Sequence, residues 1–191
     1  MLALLPLLLL SQADAPTWQK LDAPTGVTLE KRALPGSDFA EFQAAQQMAA
    51  ETKAACQRIF EWATSTSNPS INVRKVLKDG PDEKIVYDQI QSSLVSNRDY
   101  AMTLTKVLEP TGCRIDFQVT NEHVPAVPSG FVRITKLKGR WTLQELPNNR
   151  TAISYRLHAE PAGSVPAFLV NGAQKDKMVS TLREAVKVAQ K

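Results

Sequence analysis

The chain is expected to fold as a single α+β domain, a curved antiparallel sheet covered by one long C-terminal helix. Three observations lead there. A strand pair and a helix occupy residues 26–63. A long run of alternating strands follows over 71–158. An amphipathic helix then fills the end of the chain. A sheet face of that size must be covered, and the final helix is the only element long enough to lie across it.

The 191 residues fit one domain plus a leader, and a domain of this size can bury a core and still leave room for an internal pocket. Apolar residues make up 43%, which places the chain among globular proteins. Aromatic residues are only 6%, so a base-stacking surface is not expected and nucleic acid is not an expected partner. The net charge of +4 permits contact with anionic membrane surfaces. The basic residues are scattered, however, and Lys136-Leu137-Lys138-Gly139-Arg140 reads as solvated surface.

Residues 1–15 read as a signal peptide. Leu2 to Leu10 is almost wholly apolar, and Ala13-Asp14-Ala15 fits a small-x-small cleavage pattern. The run is too short to span a bilayer. No Lys or Arg precedes it, which is unusual for a leader. Export is the expectation, with the bacterial periplasm as destination. The mature domain would then span 16–191.

After an entry segment with Trp18, residues Gly26 to Arg32 alternate as a strand. Pro35-Gly36-Ser37 signals a turn, and Ser37 to Met48 continues as a second strand. Ala49 to Ala63 is rich in helix formers, with Ala55, Ile59 and Trp62 at helical spacing. Thr64 to Pro69 ends that helix in polar turn chemistry.

From Ile71 to His158, strands are separated by turn signals at Asp79-Gly80-Pro81, Glu109 to Gly112, Pro125 to Gly130, Lys138-Gly139 and Pro147-Asn148-Asn149. Ile115, Phe117 and Val119 alternate with polar neighbours, as do Ile153, Tyr155 and Leu157. A period of two means that each strand buries one face, and short turns imply an antiparallel meander. In the last segment, Phe168, Leu169, Met178, Val179, Leu182, Val186 and Ala189 are placed on one helical face.

Cys56 and Cys113 are the only cysteines. An exported chain could oxidise them, but nothing in the sequence brings them together, and two free thiols are favoured. They do not make a zinc site with His123 and His158, which are far apart, so no metal is expected. Both histidines read as solvated or structural. Asn149-Arg150-Thr151 matches a glycosylation acceptor, with no glycan expected in a bacterial source.

Order and spacing over roughly 155 residues carry a resemblance. Its pieces are Trp18 ahead of Gly26-Val27-Thr28-Leu29, then Pro35-Gly36-Ser37, Glu41-Phe42 and Trp62. The most specific is Val95-Ser96-Asn97-Arg98-Asp99-Tyr100. Pro125-x-x-Pro128, Val132-Arg133-Ile134, Gly139-x-Trp141, Tyr155 and Gly163 to Asn171 complete it. In these residues the chain resembles the START (steroidogenic acute regulatory protein-related lipid transfer) family, in its bacterial exported form. The resemblance implies a helix-grip fold with one lipid-sized tunnel. It implies binding or carriage of a lipid without a chemical reaction and without a cofactor, and a final helix that acts as lid. Some sterol-binding relatives carry a basic cavity residue six positions after this arginine, where this chain has Leu104.

The expected ligand contacts are Asp88, Arg98, Tyr100, Met102, Leu104, Phe117, Trp141 and Tyr155 on the sheet. The final helix adds Phe168, Leu169, Met178, Val179 and Leu182. Arg98 shares a strand face with Tyr100, Met102 and Leu104, while Asp99 faces the other way. The guanidinium of Arg98 suits a headgroup phosphate or carboxylate, yet a structural pairing is favoured for it. Asp88 is placed at the surface more readily than in the cavity. For Trp62 and Trp141 core packing is favoured over tunnel lining, and Met102 and Met178 adapt to varied apolar shapes. An aromatase/cyclase-like enzyme would need positioned acid–base groups, for which Asp88, Arg98 and Tyr100 are the candidates. An envelope adaptor would need an exposed apolar patch and a filled core. A monomer that touches membranes transiently is expected.

Overall fold

A computed structural model describes residues 16–66, 71–91 and 96–191. The expected leader, the Pro69 end of the first turn and Val95 lie outside the described residues.

Strands β1 (Gln19–Leu21), β2 (Thr28–Leu34) and β3 (Ser37–Ala49) precede helix α1 (Thr52–Thr64). Next come β4 (Val73–Asp79), β5 (Glu83–Ile90), β6 (Asn97–Glu109), β7 (Gly112–Thr120), β8 (Phe131–Arg133), β9 (Lys136–Leu146) and β10 (Arg150–Glu160). Helix α2 (Ala167–Ala189) closes the chain. The sheet runs β1-β2-β3-β10-β9-β7-β6-β5-β4. All these pairings are antiparallel, while the short β8 lies parallel to β6, from Asn97↔Phe131 to Asp99↔Arg133.

The expected α+β helix-grip architecture is therefore what the chain adopts. The meander is interrupted only by β8, because the long connection after β7 folds back beside β6. That connection is held from the outer sheet face. The Arg133 guanidinium forks onto Asp99 (Nε–Oδ1 2.9 Å) and also donates to the Pro125 carbonyl at 2.9 Å. The Tyr87 hydroxyl donates to the same Asp99 carboxylate at 2.9 Å.

Helix α1 starts at Thr52, capped by Glu51, rather than at Ala49, since β3 runs on to Ala49. The Glu51 carboxylate accepts the Lys53 and Ala54 N–H groups at 2.9 and 2.6 Å, satisfying two donors that the first turn leaves open. These bonds from Ala54 and Lys53 hold the carboxyl below its ordinary pKa. Ala55, Cys56, Ile59, Phe60 and Ala63 of α1 are buried against the sheet.

The expectation of two free thiols is wrong. Cys56 and Cys113 form a disulfide, with Cα atoms 6.4 Å apart and both residues fully buried. The sheet bends around α1 and brings the start of β7 to the buried face of the helix, a proximity that a sequence separation of 57 conceals. Of the two roles open to His158, solvated or structural, the position fits the structural one. It is buried, with Nε2 3.5 Å from the Glu160 carboxylate. His123 is exposed in the loop after β7.

Candidate functional site

The residues on the inner sheet face follow directly from the ladder register. Tyr155 lies opposite Trp141, and Trp141 opposite Ile115. Leu104 lies opposite Phe117, and Asp88 opposite Tyr100. The concave face thus carries aromatic and aliphatic groups from four neighbouring strands.

Between this face and α2 lies a cavity of about 330 Å³. Its floor is Tyr100, Met102 and Leu104 of β6, Phe117 of β7, Leu137 and Trp141 of β9, and Tyr155, Leu157 and Ala159 of β10. Trp62 and Ala63 of α1, with Ile71, Arg74, Ile90 and Ile134, wall its sides. Lys177, Ser180, Thr181 and Glu184 of α2 form the remaining boundary. The volume falls within the range of about 300–1,000 Å³ common to ligand pockets.

Packing fixes the aromatic floor. Tyr155 stacks on Trp141 with ring centroids 4.1 Å apart and planes 18° apart. Phe117 lies near-parallel to Tyr155 with ring centroids 6.0 Å apart. Trp62 meets Trp141 edge-on at 6.2 Å. Gly139 makes the arrangement possible, because a Cβ there would strike the Phe117 ring and the Arg156 carbonyl oxygen. The glycine of Gly139-x-Trp141 therefore lets one ring lie flat on the sheet.

A buried ion pair stands beside the cavity floor. Arg74 of β4 forks onto Asp88 of β5, with Nε–Oδ1 and Nη2–Oδ2 both 2.6 Å. Its Nη1 donates to the Ala63 carbonyl at 2.5 Å. The Asp88 side chain is fully buried and that of Arg74 is 3% exposed. Tyr100 lies opposite Asp88 in the β5–β6 ladder, within reach of its charge. Burial first, and then the Asp88 charge, pushes the Tyr100 phenol well above its ordinary range. Asp88 is thus a correction to the expected surface position: its charge is tolerated inside because Arg74 neutralises it. Arg74 went unnoticed in the sequence. A bulge between Val76 and Lys78 shifts the β4–β5 ladder so that Arg74 faces Asp88, and an unbroken hairpin would have set it opposite Gln89.

Of the expected contacts, Tyr100, Met102, Leu104, Phe117, Trp141 and Tyr155 come together on the cavity wall, and Asp88 backs it through Arg74. Arg98 lies outside the lining. Its Nε donates to the Pro161 carbonyl at 2.8 Å and Nη2 to the Ala162 carbonyl at 3.1 Å, while Nη1 bonds the Ser96 carbonyl. All three nitrogens are spent on backbone, so a headgroup role is replaced by a structural one. The run Arg98-Asp99-Tyr100 divides its labour. Arg98 holds the connection into α2, Asp99 the loop after β7, and Tyr100 the cavity wall.

The five expected helix contacts are not in the lining either. Phe168 and Leu169 are 74% and 55% exposed. Met178 and Leu182 are fully buried, with Val179 packed beside them. The buried stripe of α2 is Gln174, Met178, Leu182, Ala185, Val186 and Ala189, and the helix packs mainly on β3 and α1. Its apolar face therefore meets protein, and the neighbouring, polar stripe borders the cavity.

A depression of about 410 Å³ on the opposite sheet face is lined by groups such as Glu41, Asp116, Arg140 and Arg156. These are largely paired with one another or with neighbours, Arg140 with Asp116 and Arg32 with Glu41. Among the described residues no His/Cys/Asp/Glu cluster suits a metal ion.

A bent antiparallel sheet gripping a C-terminal helix over an aromatic-floored cavity defines the helix-grip class. Residues 7–191 match the START domain, and the chain belongs to that family. Its backbone superposes on a STAR-related lipid transfer protein from Xanthomonas axonopodis with a TM-score of 0.74 at 22% identity, covering 91% of this chain and 99% of that one. Human StAR-related lipid transfer protein 5 gives 0.74 at 13% identity, covering 91% and 86%. An uncharacterized protein of Pseudomonas aeruginosa is 24% identical over 188 residues, 94% of this chain and 90% of the relative.

Proposed function

We propose that this protein binds one lipid or other hydrophobic molecule in the cavity beneath α2 and carries it without changing it chemically. The observation that carries this reading is the cavity itself. An apolar, aromatic-floored space of about 330 Å³ stays open inside a START fold where a filled core would pack better. Side chains there replace lipid–lipid contacts and keep water off the bound chain. The names of the Xanthomonas and human relatives, lipid transfer proteins, support the same reading.

The ionisable groups Arg74, Asp88 and Tyr100 on the sheet side of the cavity favour binding over catalysis. Arg74 and Asp88 neutralise each other, and Tyr100 feels burial and the Asp88 charge. A general acid or base would need a proton to give or take near neutral pH. Burial and Asp88 instead hold the Tyr100 proton in place.

The same reading places the protein in the bacterial cell envelope, exported by the apolar segment Leu2 to Leu10. The Cys56–Cys113 disulfide supports an oxidising compartment. The positive net charge favours brief contact with anionic headgroups.

The experiment is lipid uptake by delipidated protein, read by native mass spectrometry. One lipid per chain is expected. Ala159→Trp, which fills the cavity from β10, should abolish uptake while leaving the fold intact by circular dichroism. Uptake that survives a filled cavity would place the lipid elsewhere and refute the proposal.

A further inference from the structure

The floor of the cavity holds a hydrogen-bond donor that the protein itself does not use. Tyr155 stacks on Trp141 and lies near-parallel to Phe117, so its ring plane is set by packing. Its hydroxyl has no hydrogen-bond partner among the described residues. Nor is it sealed in protein, because Tyr155 lines open space. Burial raises its pKa far above the ordinary tyrosine range, so the group remains an O–H donor at any physiological pH. Once a lipid displaces water from the cavity, a hydroxyl left without an acceptor is costly, and a ligand that supplies the acceptor avoids that cost.

The electrostatics narrow the choice of acceptor. Tyr100 lies opposite Asp88 in the ladder and its phenol is held by that carboxylate's charge, and the Nε, Nη1 and Nη2 of Arg74 are committed to Asp88 and Ala63. The ion pair is neutral as a unit. The other cation bordering the cavity is Lys177, which belongs to α2 across from the floor and is partly exposed, with burial lowering its pKa. A carboxylate or phosphate drawn down to Tyr155 would be an unpaired buried charge. Its desolvation costs more than one phenol hydrogen bond returns. An un-ionised oxygen pays no such penalty.

Resting on the lipid-binding reading above, we propose that Tyr155 is the group in the cavity that selects among lipids, and that it takes a ligand whose buried segment carries an un-ionised oxygen acceptor, such as a hydroxyl or an ester. Lipids that bury only hydrocarbon, or that bury an anion, bind more weakly. An acidic headgroup is accommodated only at the α2 border, beside Lys177.

The test compares three probes of equal chain length: hexadecanol, hexadecane and palmitate. Delipidated protein is titrated with each at neutral pH, and the bound fraction is measured by extraction and mass spectrometry. Hexadecanol should bind about five-fold more tightly than hexadecane, the span of one net neutral hydrogen bond, and more tightly than palmitate. Tyr155→Phe keeps the ring and its stacking and should bring the hexadecanol-to-hexadecane ratio close to one. A ratio that Tyr155→Phe leaves unchanged overturns the inference. Palmitate matching hexadecanol on the wild-type protein also overturns it, and that result needs no variant to fold. Equal binding of all three probes defeats the selectivity but spares the carrier reading. Binding of none defeats both.

Discussion

The two halves of α2 are held in different ways. From Met178 onward the helix is built into the core. Met178, Leu182, Ala185 and Ala189 are essentially inaccessible to solvent. The Arg58 guanidinium of α1 donates to the Ala189 carbonyl at 3.1 Å, satisfying one of the open acceptors at the helix end. Helix α1 is itself bolted to β7 by the disulfide. The first two turns have little of this. Pro166 at the N-cap offers no side-chain acceptor, Phe168 and Leu169 face solvent, and Gln174 is the first buried residue. What holds this half is polar and specific. The Asn171 side chain accepts the Ala40 N–H at 3.1 Å, in the stretch where the β2–β3 register breaks between Arg32 and Leu34. Arg98 holds the carbonyls of the connection just before the helix. A lid needs one end that stays and one that lets go, and local stability follows buried apolar contact. By that measure the C-terminal half is the fixed end.

The largest effect should come from unbolting the fixed end. Closing a loop of 57 residues removes about 4 kcal/mol of unfolded-state entropy in the chain-entropy model. The Cys56→Ser/Cys113→Ser double variant should therefore melt roughly 8–16 °C lower. Hydrogen exchange should show residues 182–189 losing protection toward the level of 168–173. If the gap between the halves persists, α1 does not anchor the helix through its disulfide.

A smaller effect separates the halves by single residues. Leu182→Ala empties a fully buried site and should cost about 3 kcal/mol in urea unfolding. Leu169→Ala, at an exposed site, should stay within about 0.5 kcal/mol. Comparable costs at the two positions would mean that the first turns are packed after all.

How far the sequence could show this differs by feature. Alternation in Ile115-Phe117-Val119 and Ile153-Tyr155-Leu157 reports directly which side chains face inward, because the strand period is two whatever the tertiary context. That is why the aromatic floor of the cavity was legible. The facing of α2 was not. Phe168, Leu169, Met178 and Leu182 form one apolar set in sequence, but a helix carries no signal saying whether a given stripe meets β3, solvent or a cavity. Arg74 was hidden by the bulge at Leu77, since one extra residue moves every partner in the ladder. The disulfide was hidden by sheet curvature, a property of the whole sheet rather than of the residues near Cys56 or Cys113.

Arg98 gives the subtlest test, because its loss should act on one half only. It is buried, and two of its bonds go to Pro161 and Ala162. Ala162 sits at φ 58°, with Gly163 following at φ 69°. A left-handed alanine costs roughly 1 kcal/mol or more and persists only where its surroundings impose it. Arg98→Met keeps the aliphatic stem and removes the imposing donors. The connection should then relax, lowering the opening free energy of residues 161–173 by about 2 kcal/mol, the scale of charge-assisted hydrogen bonds. Hydrogen exchange should locate the loss there and leave 182–189 protected. Bound lipid should leave up to about 30-fold faster in a stopped-flow release assay, if opening of this half gates exit. Faster exchange with unchanged release would mean that the exit lies away from this end of the helix. Equal loss of protection in both halves would mean that Arg98 supports the whole fold, and the division of α2 into a fixed and a releasable part would fail.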